Sequence, residues 1–209
     1  MSLQSETSDN PYVGRGGLKL ACALNEFNFN PTGMVCADFG CNVGAFTDCL
    51  LQAGADRVYA LDTGYGVLDY RLRIDPRVVV MERTNALHAE APVDGVDLVV
   101  IDLAWTPQRR AIPAALRWLN PAGANQIITL IKPHYEASHM GLKRLLRRGV
   151  LSKTDAMDIL NRTIAQMPDL HVRTLGVVES PIVGGKGKKN RIGNTEHLAL
   201  LTPKSERPA

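Results

Sequence analysis

Asp38 closes an apolar run, Val35-Cys36-Ala37, and glycines follow at Gly40 and Gly44 before a helical pattern opens at Phe46, Leu50 and Leu51. Strand, glycine turn and helix form a unit that can hold a ligand. Glycine lets the chain turn sharply and lets a ligand approach the backbone. Free N–H groups at a helix start favour negative charge. A second apolar run, Val58-Tyr59-Ala60-Leu61, ends in Asp62. It lies roughly twenty-odd residues after Asp38, where α/β nucleotide sites place an acid to accept hydrogen bonds from ribose hydroxyls. The turn is not the dinucleotide fingerprint, because Asn42 stands where a middle glycine is expected. Three more polar residues follow apolar runs: Asn85 after Val78–Met81, Asp102 after Val96–Ile101, and Lys132 after Gln126–Ile131.

The elements that must position these residues alternate. A helix is expected after the glycine-rich lead-in Tyr12–Gly17, with Leu18, Leu20, Ala21, Leu24 and Phe27 inward and Lys19 beside that face. Strands are expected at 34–39, 57–61, 77–82, 96–101, 126–131, 172–178 and 195–201, the last carrying Glu196. Helices are expected at 44–53, 67–72, 108–119, across the basic segment 138–148, and at 154–167. Strands alternating with helices predict an α/β fold, a mostly parallel seven-stranded sheet covered on both faces. The loop from Ser180 to Asn194 is too polar and glycine-rich for a helical crossover, so the last two strands should pair antiparallel. In such a sheet ligands lie outside the carboxyl ends of the strands. That rule gathers Asp38, Asp62, Asn85, Asp102 and Lys132 along one edge.

With 209 residues, one domain is expected over 12–203, with a disordered tail at 1–11 and a short one at 204–209. The hydrophobic fraction of 45% and charged fraction of 22% exclude a disordered chain. A net charge of +3 permits an anionic partner without demanding one. The four cysteines form no C-x-x-C pair, and no histidine stands at ligand spacing to them, which argues against zinc. The polar N-terminus reads as no export signal, and no apolar run reaches membrane-spanning length. The expected compartment is the cytoplasm. The five histidines show no triad or metal spacing.

The residues resemble the FtsJ-like S-adenosylmethionine methyltransferases, and within them the TlyA, or haemolysin-A-type, rRNA ribose methyltransferases. The matching stretches are Arg15-Gly16-Gly17-Leu18-Lys19-Leu20, Phe46-Thr47-Asp48-Cys49-Leu50-Leu51-Gln52, Asp75 through Asn85, Ile131-Lys132-Pro133 and Ser180-Pro181-Ile182. The resemblance implies a Rossmann-like class I methyltransferase fold and S-adenosyl-L-methionine as cofactor. It implies a catalytic set of Lys19, Asp102, Lys132 and Glu196. The cofactor site is expected over Asp38, Gly40, Asn42, Gly44, Ala45, Phe46, Asp62, Asn85 and Asp102. Asp62 would hold the ribose hydroxyls and Asn85 the adenine edge. Three departures stand out, the first and third on the substrate side and the second at the cofactor turn. No counterpart is expected here for the S4-like RNA-binding domain such proteins carry at the N-terminus. The glycine turn reads G-C-N-V-G-A-F rather than G-A-S-T-G-G-F. Leu103-Ala104-Trp105-Thr106-Pro107 replaces the usual V-S-F-I-S.

The implied reaction passes a methyl from a sulfonium to a ribose 2′-hydroxyl, with Lys132 as general base. A free lysine, at pKa ~10.4, is protonated at neutral pH; a base needs ~7–8. Burial and a second cation such as Lys19 both push downward, while Asp102 and Glu196 favour the charged amines and orient them. RNA, rRNA or a ribosomal subunit, is the expected partner, with no role for DNA or a membrane. Its contacts are expected at Arg15 and at Lys186, Lys188, Lys189 and Arg191 of the late loop. Lys143, Arg144, Arg147 and Arg148 form a second basic cluster that reads equally as surface charge. Trp105 reads equally as a base-stacking ring or as core. The rival reading is a non-catalytic RNA-binding assembly factor on the same fold.

Overall fold

The computed structural model describes residues 10–123, 125–184 and 193–204. Of the expected tails at 1–11 and 204–209, residues 1–9 and 205–209 lie outside them, as do Lys186, Lys188, Lys189 and Arg191. Among the described residues one sheet has seven strands: β1 (Val35–Phe39), β2 (Arg57–Leu61), β3 (Val78–Met81), β4 (Leu98–Ile101), β5 (Gln126–Ile131), β6 (Val172–Glu179) and β7 (His197–Pro203). Their order is β3-β2-β1-β4-β5-β7-β6. The first five run parallel, and β7 lies antiparallel to both β5 and β6. The expected antiparallel pairing of the last two strands is therefore present.

Strand parity builds two cores. Successive side chains of a strand face opposite sides. Leu98 and Val100 join one core with Leu20 and Leu24 of α1 (Gly16–Glu26) and Phe46 and Leu50 of α2 (Ala45–Gln52). Val99 and Ile101 join the other with Ala111, Ile112 and Trp118 of α4 (Gln108–Trp118). Trp118 is fully buried, edge-on to Phe39 at 5.3 Å and to Tyr59 at 6.0 Å. The helix α3 (Tyr70–Arg73) is short, α5 spans Pro133–His139 and α6 spans Lys153–Ala165.

Two helices differ from expectation. The helix expected over 67–72 begins at Tyr70, because the Glu82 carboxylate takes the N–H groups of Val67 and Leu68 and holds them in a loop. Asp69 then caps the helix by accepting from Arg71 N at 2.9 Å. The helix expected over 138–148 is not one helix. It starts earlier, with Pro133 in its first turn, ends at His139, and gives way at Gly141 (φ 74°) to a short 3-10 turn at Lys143–Leu145. Proline suits the first helical turn because its missing N–H has no partner there anyway. That start sets Lys132 immediately before α5, at the end of β5.

The chain switches direction of winding between β1 and β4, since β1 pairs with β2 on one side and β4 on the other. The crevice outside the carboxyl ends of two such strands is where α/β sheets bind ligands.

Candidate active site

A cleft of about 410 Å³ opens there. Asp38, Gly40, Cys41 and Asn42 line it from the end of β1, and Val43, Ala45 and Phe46 from the start of α2. Gly14, Arg15, Gly16 and Lys19 come from the lead-in and α1, Asp102 from the end of β4, and Ile182, Val183 and Gly184 from the approach to the late loop. Gly40 is required at its position. Its φ is +87°, and a Cβ there would stand 2.9 Å from the Asp102 carbonyl oxygen. Gly44 (φ 94°) is the N-cap of α2, and a Cβ on it would strike Leu72; it is not among the residues lining the cleft.

Asp38 is wholly buried. Its Oδ2 accepts from Thr47 N at 2.9 Å and Thr47 Oγ1 at 2.7 Å, while its buried Oδ1 has no partner. Burial pushes this carboxyl up to about 7, against the Thr47 hydrogen bonds and with help from Asp102. Asp62 Oδ2 accepts from Asn42 N at 2.9 Å, and its Oδ1 from Gly64 N at 2.7 Å, tying the glycine turn to the loop after β2. Asn85 is exposed beyond β3, with its Oδ1 accepting from Leu87 N. Both stand further along the carboxyl edge of the sheet, outside the cleft lining. Glu82 anchors the 64–68 loop and went unnoticed in the sequence. Its Oε1 accepts from Arg73 Nη2 at 2.6 Å as well as from the two loop amides. The Gly66 N–H first, then Arg73 and Leu68, hold this carboxyl down at about 2.

The four residues of the expected catalytic set form two ion pairs. Lys19 Nζ lies 2.5 Å from Glu196 Oε2, both side chains buried. Lys132 Nζ lies 2.5 Å from Asp102 Oδ1. The second is a charge contact rather than an aligned hydrogen bond, since Oδ1 has no hydrogen-bond partner; Lys132 donates to the Leu103 carbonyl at 3.4 Å. The two amines share one neighbourhood. His134 is pushed down to about 4, chiefly by burial, then by Lys132 and by Lys19. Its ring lies 4.1 Å from that of Tyr135. Glu196 sits one residue ahead of β7 rather than in it, and its carbonyl accepts from Ser180 N. Gly184 leaves room for it: a Cβ there would overlap the Glu196 carboxylate.

Trp105 is not core. It is 73% exposed, at φ 54°, with its carbonyl 2.8 Å from His139 Nε2 and its ring 5.9 Å from Tyr135. Cys41 is buried in the turn, and burial first, then Asp38, raises its thiol well above the usual range, leaving it an inert side chain. Arg15 is exposed at the cleft.

The profile of the FtsJ-like methyltransferases matches residues 12–192. The chain belongs to the FtsJ-like methyltransferase family. A Bacillus subtilis relative, YqxC, named as a candidate rRNA methyltransferase, is 38% identical over 181 residues; the match takes 84% of this chain and 62% of that protein, so the chain spans less than two thirds of it. TlyA of Mycobacterium tuberculosis, named as a 16S/23S rRNA (cytidine-2′-O)-methyltransferase, is 35% identical over 96% of this chain and 72% of its own. A solved structure named as a hemolysin candidate of Streptococcus thermophilus superposes with a TM-score of 0.85 at 33% identity, covering 96% of this chain and 70% of that one.

An FtsJ-like methyltransferase implies S-adenosylmethionine, and the cleft fits that molecule. Two carboxylates, Asp38 and Asp102, line it beside the cations Arg15 and Lys19, and the buried Oδ1 of Asp38 is left without a hydrogen-bond partner. Its glycine turn brings backbone rather than side chain to the floor. Among the described residues no helix is long and apolar enough to cross a membrane.

Proposed function

We propose that this chain transfers a methyl group from S-adenosylmethionine to a ribose 2′-hydroxyl of RNA, with rRNA as the substrate class. The observation that carries the reading is that one member of each ion pair, Lys19 and Asp102, lines the same cleft, although Lys19 and its partner Glu196 are 177 residues apart in the chain. The names of the relatives support the substrate class.

When bound, the cofactor supplies an electrophilic methyl on a sulfonium sulfur. Asp38 would hold its ammonium group, and Asp62, with a lone pair left on each oxygen, would hold the ribose hydroxyls. Asn85 would address the adenine edge, Gly40, Asn42, Ala45 and Phe46 would line the remainder of the pocket, and Gly44 would set the turn into α2. A ribose hydroxyl attacks only as its proton leaves. Lys132, as the neutral amine, would take that proton onto Nζ as the oxygen gains the methyl in line and the methyl–sulfur bond breaks, its electron pair leaving with a neutral thioether. Asp102 orients Nζ, and Lys19, fixed by Glu196, holds the hydroxyl in place. Arg15 and the lysines of the late loop contact phosphates, and Trp105 offers an exposed ring to a base.

Incubation of the purified chain with methyl-tritiated cofactor and bacterial rRNA should label the RNA at sites that resist alkaline cleavage. Lys132→Ala should keep its cofactor affinity and lose transfer by about 10²–10⁴-fold, the span of general-base contributions. Cofactor binding with no label on rRNA or tRNA would leave the assembly-factor reading instead.

A further inference from the structure

The segment Leu142-Lys143-Arg144-Leu145-Leu146-Arg147-Arg148 reads as an amphipathic helix but folds otherwise. Leu142, Leu145 and Leu146 pack on the small core of Ala137, Leu151, Ala156 and Ile159. Lys143, Arg144, Arg147 and Arg148 are thereby turned outward and exposed. None of the four is ion-paired with a described residue. Four cations this close repel one another, and no described carboxylate offsets them.

The geometry of the turn is specified. Arg147 N donates to Val150 O at 2.9 Å and Val150 N to Arg147 O at 3.1 Å. Between them Arg148 has φ 52° and Gly149 φ 85°. Two left-handed residues in a row make the tight hairpin turn that normally takes Asn-Gly or Gly-Gly. Arginine in the first position is sterically disfavoured, so its surroundings must hold it there. The hold is Asn194. Its Nδ2 donates to Gly149 O at 2.9 Å, and its Oδ1 accepts from Leu151 N at 3.1 Å. Asn194 also pairs strand-fashion with Gly184, whose N–H donates to its carbonyl at 2.9 Å. Gly184 abuts the Glu196 carboxylate, which is paired with Lys19. One unbroken set of contacts thus runs from the basic turn to the catalytic cleft.

We propose that the turn Lys143–Arg148 grips the phosphate backbone of the RNA substrate, and that Asn194 holds this grip in register with Glu196 and Lys19. The inference rests on the RNA reading above. Guanidinium groups match phosphate oxygens with paired N–H donors. The leucines of the segment face inward, leaving no apolar group beside the cations to enter a bilayer, so a polyanion fits better than a lipid surface. Asn194 is a positioning residue here, touching neither substrate nor cofactor.

The test uses the full chain with fluorescently labelled bacterial rRNA, titrated at several salt concentrations. Each phosphate contact adds roughly 0.7–0.9 to the slope of log affinity against log salt, so the double variant R147Q/R148Q should lower that slope by about 1–2. Its affinity for S-adenosylmethionine should match the parent's. R147K/R148K, which retains the charge, should keep most of the slope. Asn194→Ala should retain the parental slope and cofactor affinity, yet lower kcat at saturating RNA. An R147Q/R148Q protein with the parental slope overturns the proposed grip, as does loss of binding to phosphatidylglycerol vesicles with RNA binding intact. Asn194→Ala turning over at the parental rate overturns the link to the cleft. A parent that methylates no RNA defeats the functional reading itself. A parent that methylates while R147Q/R148Q binds RNA normally defeats only this inference.

Discussion

Burial moves the titration of Asp38 up towards neutral pH. Its folded value near 7 lies far above the 3.8 of a solvated aspartate, mainly because burial penalises the anion. A raised carboxyl binds more protons in the folded state than in the unfolded one, so stability falls as pH rises from about 4 to about 7 and levels off above. Cofactor binding runs in the opposite sense, because an ammonium group is attracted only to the ionised carboxylate. The dissociation constant for S-adenosylmethionine should therefore tighten as pH rises from 6 to 8. Asp38→Asn should flatten both profiles, which calorimetric titration and thermal melts across pH would read. A cofactor affinity that tracks pH equally in the variant would remove Asp38 from the binding site. Gly184 makes a second residue-scale case. An alanine there meets the free end of Glu196, which can swing away at little cost to the fold but only by leaving Lys19. Gly184→Ala should melt close to the parent and lose about 10²-fold in kcat, the penalty of a catalytic group displaced by about an ångström.

At the scale of elements, the sequence indicates where polar groups stand but not how loops are fastened. The carboxyl-end residues Asp38, Asp62, Asp102 and Lys132 were legible because apolar runs make strands and strand ends make sites. The pairing of Lys19 with Glu196 was legible only through the family resemblance, since no local pattern links positions 177 apart. The basic segment after α5 misled because Leu142, Leu145 and Leu146 carry helical spacing, whereas Gly141 and Gly149 break it at either end. The loop after β2 misled because its hydrogen bonds come from Glu82, a residue on the next strand's exit. That loop carries Gly64, on which Asp62 rests. Glu82→Gln, which weakens the grip on Arg73 and the loop amides, should raise KM for S-adenosylmethionine while leaving kcat unchanged, the signature of lost ground-state binding. A fall in kcat with KM unaltered would place Glu82 in the chemistry instead.

Over the whole molecule, one sheet carries both cores and the site, so the cleft should not outlast the fold. Of the proposed catalytic set, Lys19 stands on α1 and Asp102, Lys132 and Glu196 stand beside strand ends, and those strands are sealed by α1 and α2 on one face and α4 on the other. The two tryptophans separate these regions: Trp118 is fully buried under the sheet, and Trp105 is exposed beside Tyr135 on the rim that follows the carboxyl ends of β4 and β5. Trp118 touches Phe39 and Tyr59, and its indole N–H reaches the Ala89 carbonyl, so one side chain joins α4 to β1, β2 and the chain before β4. Its removal leaves a cavity that these rigid neighbours cannot fill. Trp118→Ala should therefore cost about 3–5 kcal/mol, as large-to-alanine changes in tight cores do. In that variant Trp105 is the sole remaining indole, and its fluorescence reports the rim. Urea unfolding followed by Trp105 fluorescence and by far-ultraviolet circular dichroism should give coincident transitions, both shifted to lower urea than in the parent. A rim that loses its signal well before the helices do would show instead that the cleft opens as a unit of its own, with the sheet beneath it still folded.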